Sequence, residues 1–437
     1  MRHDTVPQTG QAQGTPTASL ARLVPAIGSI YIAQTLVSMI AMQSVPALLR
    51  DAGVPLEMIG FSALFMAPWV LKVLWAPRIE RWRLPPHRTR RFSKRIILSG
   101  QALLALVFAG TGLMVGNATL ETLAVGPLFA ALVLAAFLAA SVDIACDGMA
   151  VDHLDARSRQ WGNLAQVGGG YVGFLLGTSV FLIVCAHFGP GTALVCSACF
   201  IAALGLPLLG FSESPREPGS AAHHPGLRHA LSRREIRQGL LALVLLEAGL
   251  RTATGLIGPL LVDRGADLEF IGWLFGGFTV GCGLAGAVLG AVLVRHLGAW
   301  RAVVLAYGFQ AVILASLALA LDAPLGLLAT LIGLKFSLMA AGLVSLYSAL
   351  MGLTSPRQAG VDFTVFQSAD ALVALLGGLL GGWLAGRWGY GASFVTAAGC
   401  AAVATLIVAC RTPGTDTPSA TTEPGSGLSA DTSGAPS

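Results

Sequence analysis

Charge is what this chain has least of. Only 11% of its 437 residues are charged, where a soluble domain carries about 25%, while 54% are hydrophobic and mean hydropathy is +0.73. That balance excludes a water-soluble globule and excludes disorder for the bulk of the chain. Lysine is nearly missing, with only Lys72, Lys94 and Lys335. There is no G-x-x-x-x-G-K-[ST] loop to cradle nucleotide phosphates and no H-E-x-x-H metal pair. The eight histidines are scattered, mostly in loops and tails. An ATP-driven pump and a metalloprotease are therefore disfavoured. No His or Ser nucleophile set gathers near one interface, so the chain is not expected to be an enzyme, nor to hold a cofactor or metal. The seven cysteines are an odd number, and most lie in apolar runs where they behave as small apolar residues. Cys196 and Cys199 form a C-x-x-C with no second pair, which favours simple packing. Residues 1–19 are polar and precede a full-length apolar run, so no cleavable signal peptide is expected.

What the chain does have is long apolar runs. A bilayer core needs about 20 apolar residues per helix. Twelve candidate spans meet that length, at 22–47, 57–77, 96–115, 124–150, 162–186, 191–211, 239–262, 270–294, 302–321, 324–350, 361–386 and 391–410. The net charge of +5 is not a nucleic-acid signal, because the basic residues sit in short loops. With the N-terminus inside, 21 of the 27 Lys and Arg fall on the cytoplasmic side, three outside (Arg50, Arg264, Arg387) and three within spans. The positive-inside rule then expects both termini in the cytoplasm.

The chain repeats itself at an offset of 212 residues. Leu48–Gly60 (L-L-R-D-A-G-V-P-L-E-M-I-G) matches Leu260–Gly272 (L-L-V-D-R-G-A-D-L-E-F-I-G) at eight of thirteen positions. A weaker echo is R-Q-x-G at Arg159–Gly162 and Arg357–Gly360. Six plus six spans in one orientation is the parallel-repeat plan, with substrate held between the halves at mid-membrane. The expected organisation is a cytoplasmic N-terminal tail (1–21), an N-terminal six-helix bundle (22–211), a cytoplasmic linker (212–238), a C-terminal six-helix bundle (239–410) and a disordered tail (411–437). Within the linker, Ser232–Gln238 reads as a short basic surface helix. Glycines recur at four-residue spacing: Gly169, Gly173 and Gly177; Gly277 and Gly281, then Gly286 and Gly290; Gly378, Gly382 and Gly386. Such stripes let helix backbones approach, and smooth contacts among second-, fifth-, eighth- and eleventh-type helices would let two halves rock.

Charges inside spans are few and therefore informative, because each costs several kcal/mol without a partner or water. Asp143 and Asp147 share one face of the fourth span, Glu247 and Arg251 lie on the seventh, Lys335 on the tenth and Asp370 on the eleventh. Lys72 lies on the second, nearer its cytoplasmic end, where it can snorkel. Glu247 and Arg251, at i and i+4 in the favourable order, can neutralise each other, and Asp370 can tie helices together. Asp143 and Asp147 facing each other would suit proton transfer, with Asp370 a further acid for that role. Arg251 and Lys335, with Glu247, suit the binding of an anionic or chelating substrate. In the loop after the second span, Glu80 stands among many bases, a charge tie that opens when the halves rock.

That loop, L-K-V-L-W-A-P-R-I-E-R, resembles the second-to-third loop of the major facilitator superfamily, and more closely the lysine-bearing W-A-P form of its AmpG-like branch. D-I-A-C-D-G-M-A-V-D followed by R-Q-W-G-N-L-A-Q-V-G-G-G-Y-V-G resembles the same branch, and the D-G-M-A and Q-V-G-G-G-Y-V-G forms are most similar to the RhtX/FptX siderophore permeases. Glu80 stands where the superfamily usually has Asp, and the second-half loop V-R-H-L-G-A-W-R lacks its acid, so gating is expected to be asymmetric. The resemblance implies an all-α membrane protein of twelve transmembrane helices in two six-helix bundles. It implicates Lys72, Glu80 and Arg81 in gating, Asp143 and Asp147 in proton coupling, and Gln166 in substrate binding. The implied task is import of an iron–siderophore complex across the bacterial inner membrane. The alternatives are an AmpG-type muropeptide permease and a generic drug or metabolite efflux carrier. The expected partners are the lipid bilayer and a small-molecule substrate, with no nucleic acid, and the expected state is a monomer.

Overall fold

The structure, a computed structural model, describes residues 16–51, 65–85, 88–116, 125–216, 225–266 and 268–411. The tails, most of the first copy of the repeat, residues 57–64 of the second span and the middle of the linker lie outside the described residues. Everything described is helix, turn or irregular backbone. Helices are α1 (Pro16–Met39), α2 (Ala67–Leu71), α3 (Ala76–Arg83), α4 (Ser93–Val115), α5 (Val125–His153), α6 (Arg159–Leu175), α7 (Phe181–Leu204), α8 (Arg234–Thr254), α9 (Thr279–Leu297), α10 (Ala299–Leu319), α11 (Leu325–Met351) and α12 (Ala359–Arg411), with shorter helical pieces between them.

Among the described residues nine helical stretches are long and apolar enough to cross a bilayer. Two of them, Arg159–Leu209 and Ala359–Arg411, are each about twice the length of one span. Both bend at a glycine held in a positive-φ conformation, Gly189 (φ 83°) and Gly389 (φ 80°). A side chain would clash there, so glycine turns the chain back and each stretch makes two spans. The second span is the remaining one. Pro68 and Pro77 sit in the first turns of α2 and α3, and a 3₁₀ turn, Lys72–Leu74, joins the two. The break tucks Lys72 inward, 2% exposed, rather than letting it snorkel. Counted this way, the described residues hold parts of all twelve expected spans.

The first six spans and the last six form two bundles. In the first, α1 packs on α6, and α4 packs on α5 and α7; in the second, α8 packs on α12, α9 on α11, and α10 on both α11 and α12. Glycine lets these pairs close. A Cβ at Gly173 would stand 2.5 Å from the Ile32 carbonyl oxygen, and one at Gly286 would stand 1.9 Å from that of Ser337. Along the glycine stripe of α12 it is Gly377 and Gly381 that make contact, and their Cβ atoms would meet Arg251 and Thr252. Gly277, Gly281, Gly378, Gly382 and Gly386 face nothing within 4 Å. The stripes therefore join helices within a half, first to fifth, eighth to tenth and seventh to eleventh, and do not form the sliding surface expected from spacing alone. Spacing cannot tell which of two adjacent glycine rows meets a neighbour. Gly286→Ala is expected to destabilise by about 1–3 kcal/mol through overpacking, with Gly378→Ala within about 0.5 kcal/mol of wild type. Thermal melts of both variants in detergent check this, and equal losses would contradict it.

The halves meet where α6 touches α9 and α11, and where α12 touches α5, α2 and α3. The linker is ordered at both ends. Glu213 accepts from the backbone N–H groups of Ser93 and Lys94 (both 3.1 Å), capping α4. The short helix in the linker is Leu227–Ser232. Ser232–Gln238 is not a separate helix: Arg233 is extended (ψ 131°), and Arg234 already opens α8. That extended residue carries its guanidinium to Asp362 (2.6 Å) and to the Leu353 carbonyl (2.9 Å), fixing the start of α12.

Candidate functional site

Two charge clusters face each other across the junction of the halves. On α5, Asp143 and Asp147 are one turn apart and buried. They take separate partners. Asp143 forms an ion pair with Lys72, and the Gln34 amide, oriented to satisfy both groups, donates to its Oδ1 at 2.7 Å. Asp147 accepts from the Tyr31 hydroxyl. Lys72 also donates to Gln367 on α12, so this ion pair reaches into the other half.

The second cluster is built on α8 and α12. Arg251 pairs with Glu247 one turn earlier (2.8 Å) and with Asp370 (2.7 Å). Tyr347 donates to Asp370 at 2.8 Å, and Tyr307 donates to Glu247. The Arg251 side chain remains 20% exposed. Both clusters open on one cavity of about 340 Å³, lined by Lys72, Asp143, Arg251, Asp370 and Gln367 among others. A larger cavity of about 690 Å³ adjoins it, sharing Tyr31, Thr35 and Tyr347. Its wall carries six aromatic side chains, among them Tyr171, Phe174, Phe275 and Phe336, between small and polar residues such as Gly170, Thr254 and Gln166. Asp147 and Glu247 line neither cavity; Asp147 stands behind Tyr31 and Glu247 behind Arg251. Lys335 is wholly buried beside the larger cavity.

A third cluster closes one end of the junction. Glu80 and Arg83 pair at 2.6 Å, and Arg83 also binds Asp152 at the end of α5. Glu80 Oε1 accepts the backbone N–H of Gly360 (3.3 Å), tying α3 to the start of α12 in the other half. Nearby, Asn163 of α6 donates to the Ser348 hydroxyl of α11 at 3.1 Å. Burial pushes the Glu80 carboxyl above its usual range, and the Arg83 guanidinium pulls it back. Room for that guanidinium exists because residue 148 is glycine: a Cβ there would stand 2.6 Å from it. Arg81, expected beside Glu80, is exposed and donates to the Pro77 carbonyl (3.3 Å) instead. On a helix the residue three after Glu80 shares its face better than the next one, so the i, i+3 spacing was the available signal for Arg83. Asp152 lies just past the apolar run of the fourth span, and Tyr31, Gln34, Tyr347 and Gln367 carry no charge to single them out. Among the described residues no group of three His, Cys, Asp or Glu is placed to hold a metal.

Comparison with known proteins agrees with this architecture. The chain is 25% identical over 368 residues to an uncharacterized protein of Haemophilus influenzae, covering 80% of this chain and 84% of that one. It is 27% identical over 260 residues to the anhydromuropeptide permease of Escherichia coli K12, covering 58% of this chain and about half (51%) of the permease. The fold is that of the Escherichia coli fucose:proton symporter FucP, with a TM-score of 0.68 at 14% identity over 91% of this chain and 100% of that one. The profile of the Major Facilitator Superfamily matches residues 27–369, which take in the first charge cluster, Glu247 and Arg251 of the second, and the Glu80 cluster. This twelve-helix membrane protein, with its polar chamber between two bundles, belongs to the Major Facilitator Superfamily of secondary transporters.

Proposed function

We propose that the protein imports an iron–siderophore complex across the bacterial inner membrane by alternating access. One observation carries the reading: the junction of the halves holds a chamber in which buried ion pairs adjoin an aromatic wall, a surface for a bulky anion rather than a simple sugar. The D-G-M-A and Q-V-G-G-G-Y-V-G forms on α5 and α6 support a siderophore as cargo. With both termini in the cytoplasm, the Glu80 cluster is the cytoplasmic gate, and the chamber faces the periplasm. Cargo would enter past Thr35 and Ser38 and pair with Arg251. The halves would then rock, parting Glu80 from Gly360 and Lys72 from Gln367. Those two contacts join the halves, so they must break for the inner side to open.

Proton coupling is assigned to Asp143, Asp147 and Asp370. Asp143→Asn is expected to abolish uptake driven by an imposed pH gradient, measured per molecule of folded protein in the vesicles. Unchanged gradient-driven uptake in vesicles would rule that role out.

A second reading, a muropeptide permease, is favoured by the similarity to the Escherichia coli anhydromuropeptide permease. A deletion strain grown under iron limitation on single purified siderophores, alongside a muropeptide-recycling readout, separates the two. Loss of growth on one siderophore supports iron import. Wild-type growth with a recycling defect overturns it in favour of the muropeptide.

A further inference from the structure

Among the described residues three cations in the interior come with carboxylates, and one that borders the larger cavity does not. Lys72 has Asp143, Arg83 has Glu80 and Asp152, and Arg251 has Glu247 and Asp370. Lys335 is 0% exposed, yet among the described residues no carboxylate lies within ion-pair distance of it. Its ammonium donates to the Thr254 hydroxyl (2.8 Å), approaches the Met339 sulfur (3.5 Å) and lies 4.4 Å from the centre of the Phe336 ring. A hydroxyl, a thioether and a ring face offset part of the cost of burying a charge, but far less than a carboxylate does. All three of these neighbours line the aromatic cavity of about 690 Å³. The cation therefore stands one side chain behind the cavity wall, and its flexible cover is methionine.

We propose that Lys335 is an anion-receiving subsite of this cavity. The acid group of the cargo pairs with its ammonium once Met339 swings aside, and an apolar or aromatic body rests on Tyr171, Phe275 and Phe336. Arg251 is the weaker place for a first anion, because Glu247 and Asp370 already hold its guanidinium and an arriving acid must compete with both. Lys335 has no carboxylate at ion-pair distance among the described residues. The subsite rests on the reading of this chamber as a cargo site and narrows the cargo to an acid with an apolar or aromatic body.

The test uses purified full-length protein in lipid nanodiscs, with 2-naphthoate and its neutral amide, 2-naphthamide, as calorimetric probes. Wild type is expected to bind the acid about 10- to 100-fold more tightly than the amide, the worth of a hydrogen bond to a charged group. Lys335→Met is expected to lose that margin, to bind the amide as wild type does, and to melt no lower, since a buried unpaired charge has been removed. Equal binding of the two probes by wild type, or no binding of either, overturns the subsite. So does a Lys335→Met protein that keeps the preference for the acid, or an acid preference abolished by Arg251→Gln but not by Lys335→Met. The siderophore reading fails separately. A chain that binds naphthoate through Lys335 yet supports no growth on any siderophore keeps the subsite and loses the iron cargo.

Discussion

Replacing Arg83 with methionine is expected to destabilise the protein by about 3–5 kcal/mol, the cost of leaving a buried charge without its counter-ion. Glu80 is left without a cation, while Asp152 keeps Arg91 at 3.4 Å. Glu80 and Asp152 both point at the guanidinium, the Arg83 and Glu80 side chains are 0% exposed, and that of Asp152 is 1% exposed. Without the cation they repel each other in a site closed to water. Glu80 would also lose the partner that holds it beneath the Gly360 N–H. Two effects should therefore appear together, a lower melting temperature and a junction that opens more readily at that end. Arg81→Met, two residues earlier but exposed, is expected to change stability by less than about 0.5 kcal/mol. Melting curves for the two variants make the comparison. Similar losses at Arg81 and Arg83 would show that the cluster is not held as described.

The second large effect concerns Lys72 and Asp143. Either Lys72→Met or Asp143→Asn alone is expected to cost about 3–5 kcal/mol, because each removes one member of a buried pair. The double variant should recover part of that loss, with a coupling energy of up to about 3 kcal/mol. Recovery is expected since methionine and asparagine leave no charge at the site, while Gln34 and Gln367 can still satisfy the amide. Fully additive losses would mean that the two side chains do not interact. Function should not follow stability here. The double variant is expected to fold and still fail in gradient-driven uptake, because its titratable carboxyl is gone.

Much of this molecule is legible before any coordinates are seen, for a physical reason. Lipid tolerates so little charge that the few acids and bases in the apolar runs mark the chamber directly; Lys72, Asp143, Arg251 and Asp370 all line it. Helix count is nearly as plain, though apolar length alone cannot place the breaks at Gly189 and Gly389 or the 3₁₀ turn that carries Lys72 inward. Partners are harder to read. Tyr31 and Tyr347 are ordinary residues of a membrane helix until the fold brings them to Asp147 and Asp370. Depth is harder still: Gln166 reaches the cavity wall while Lys335 stands just behind it, and nothing in local spacing distinguishes the two. The same limit explains the glycines, where Gly377 and Gly381 make contact and their neighbours Gly378 and Gly382 do not.

A water-filled chamber between the halves, shut at the Glu80 end, is tested most directly by thiol labelling. In a cysteine-free background, Thr35→Cys, which both cavities reach, is compared with Leu379→Cys, which is 66% exposed on the apolar outer surface. A membrane-impermeant maleimide is applied to one face of sealed vesicles at a time. The expected result is rapid modification of Thr35→Cys from the face opposite the Glu80 cluster, none from the Glu80 face, and none at Leu379→Cys from either. Thr35→Cys as inert as Leu379→Cys from both faces would contradict the chamber itself.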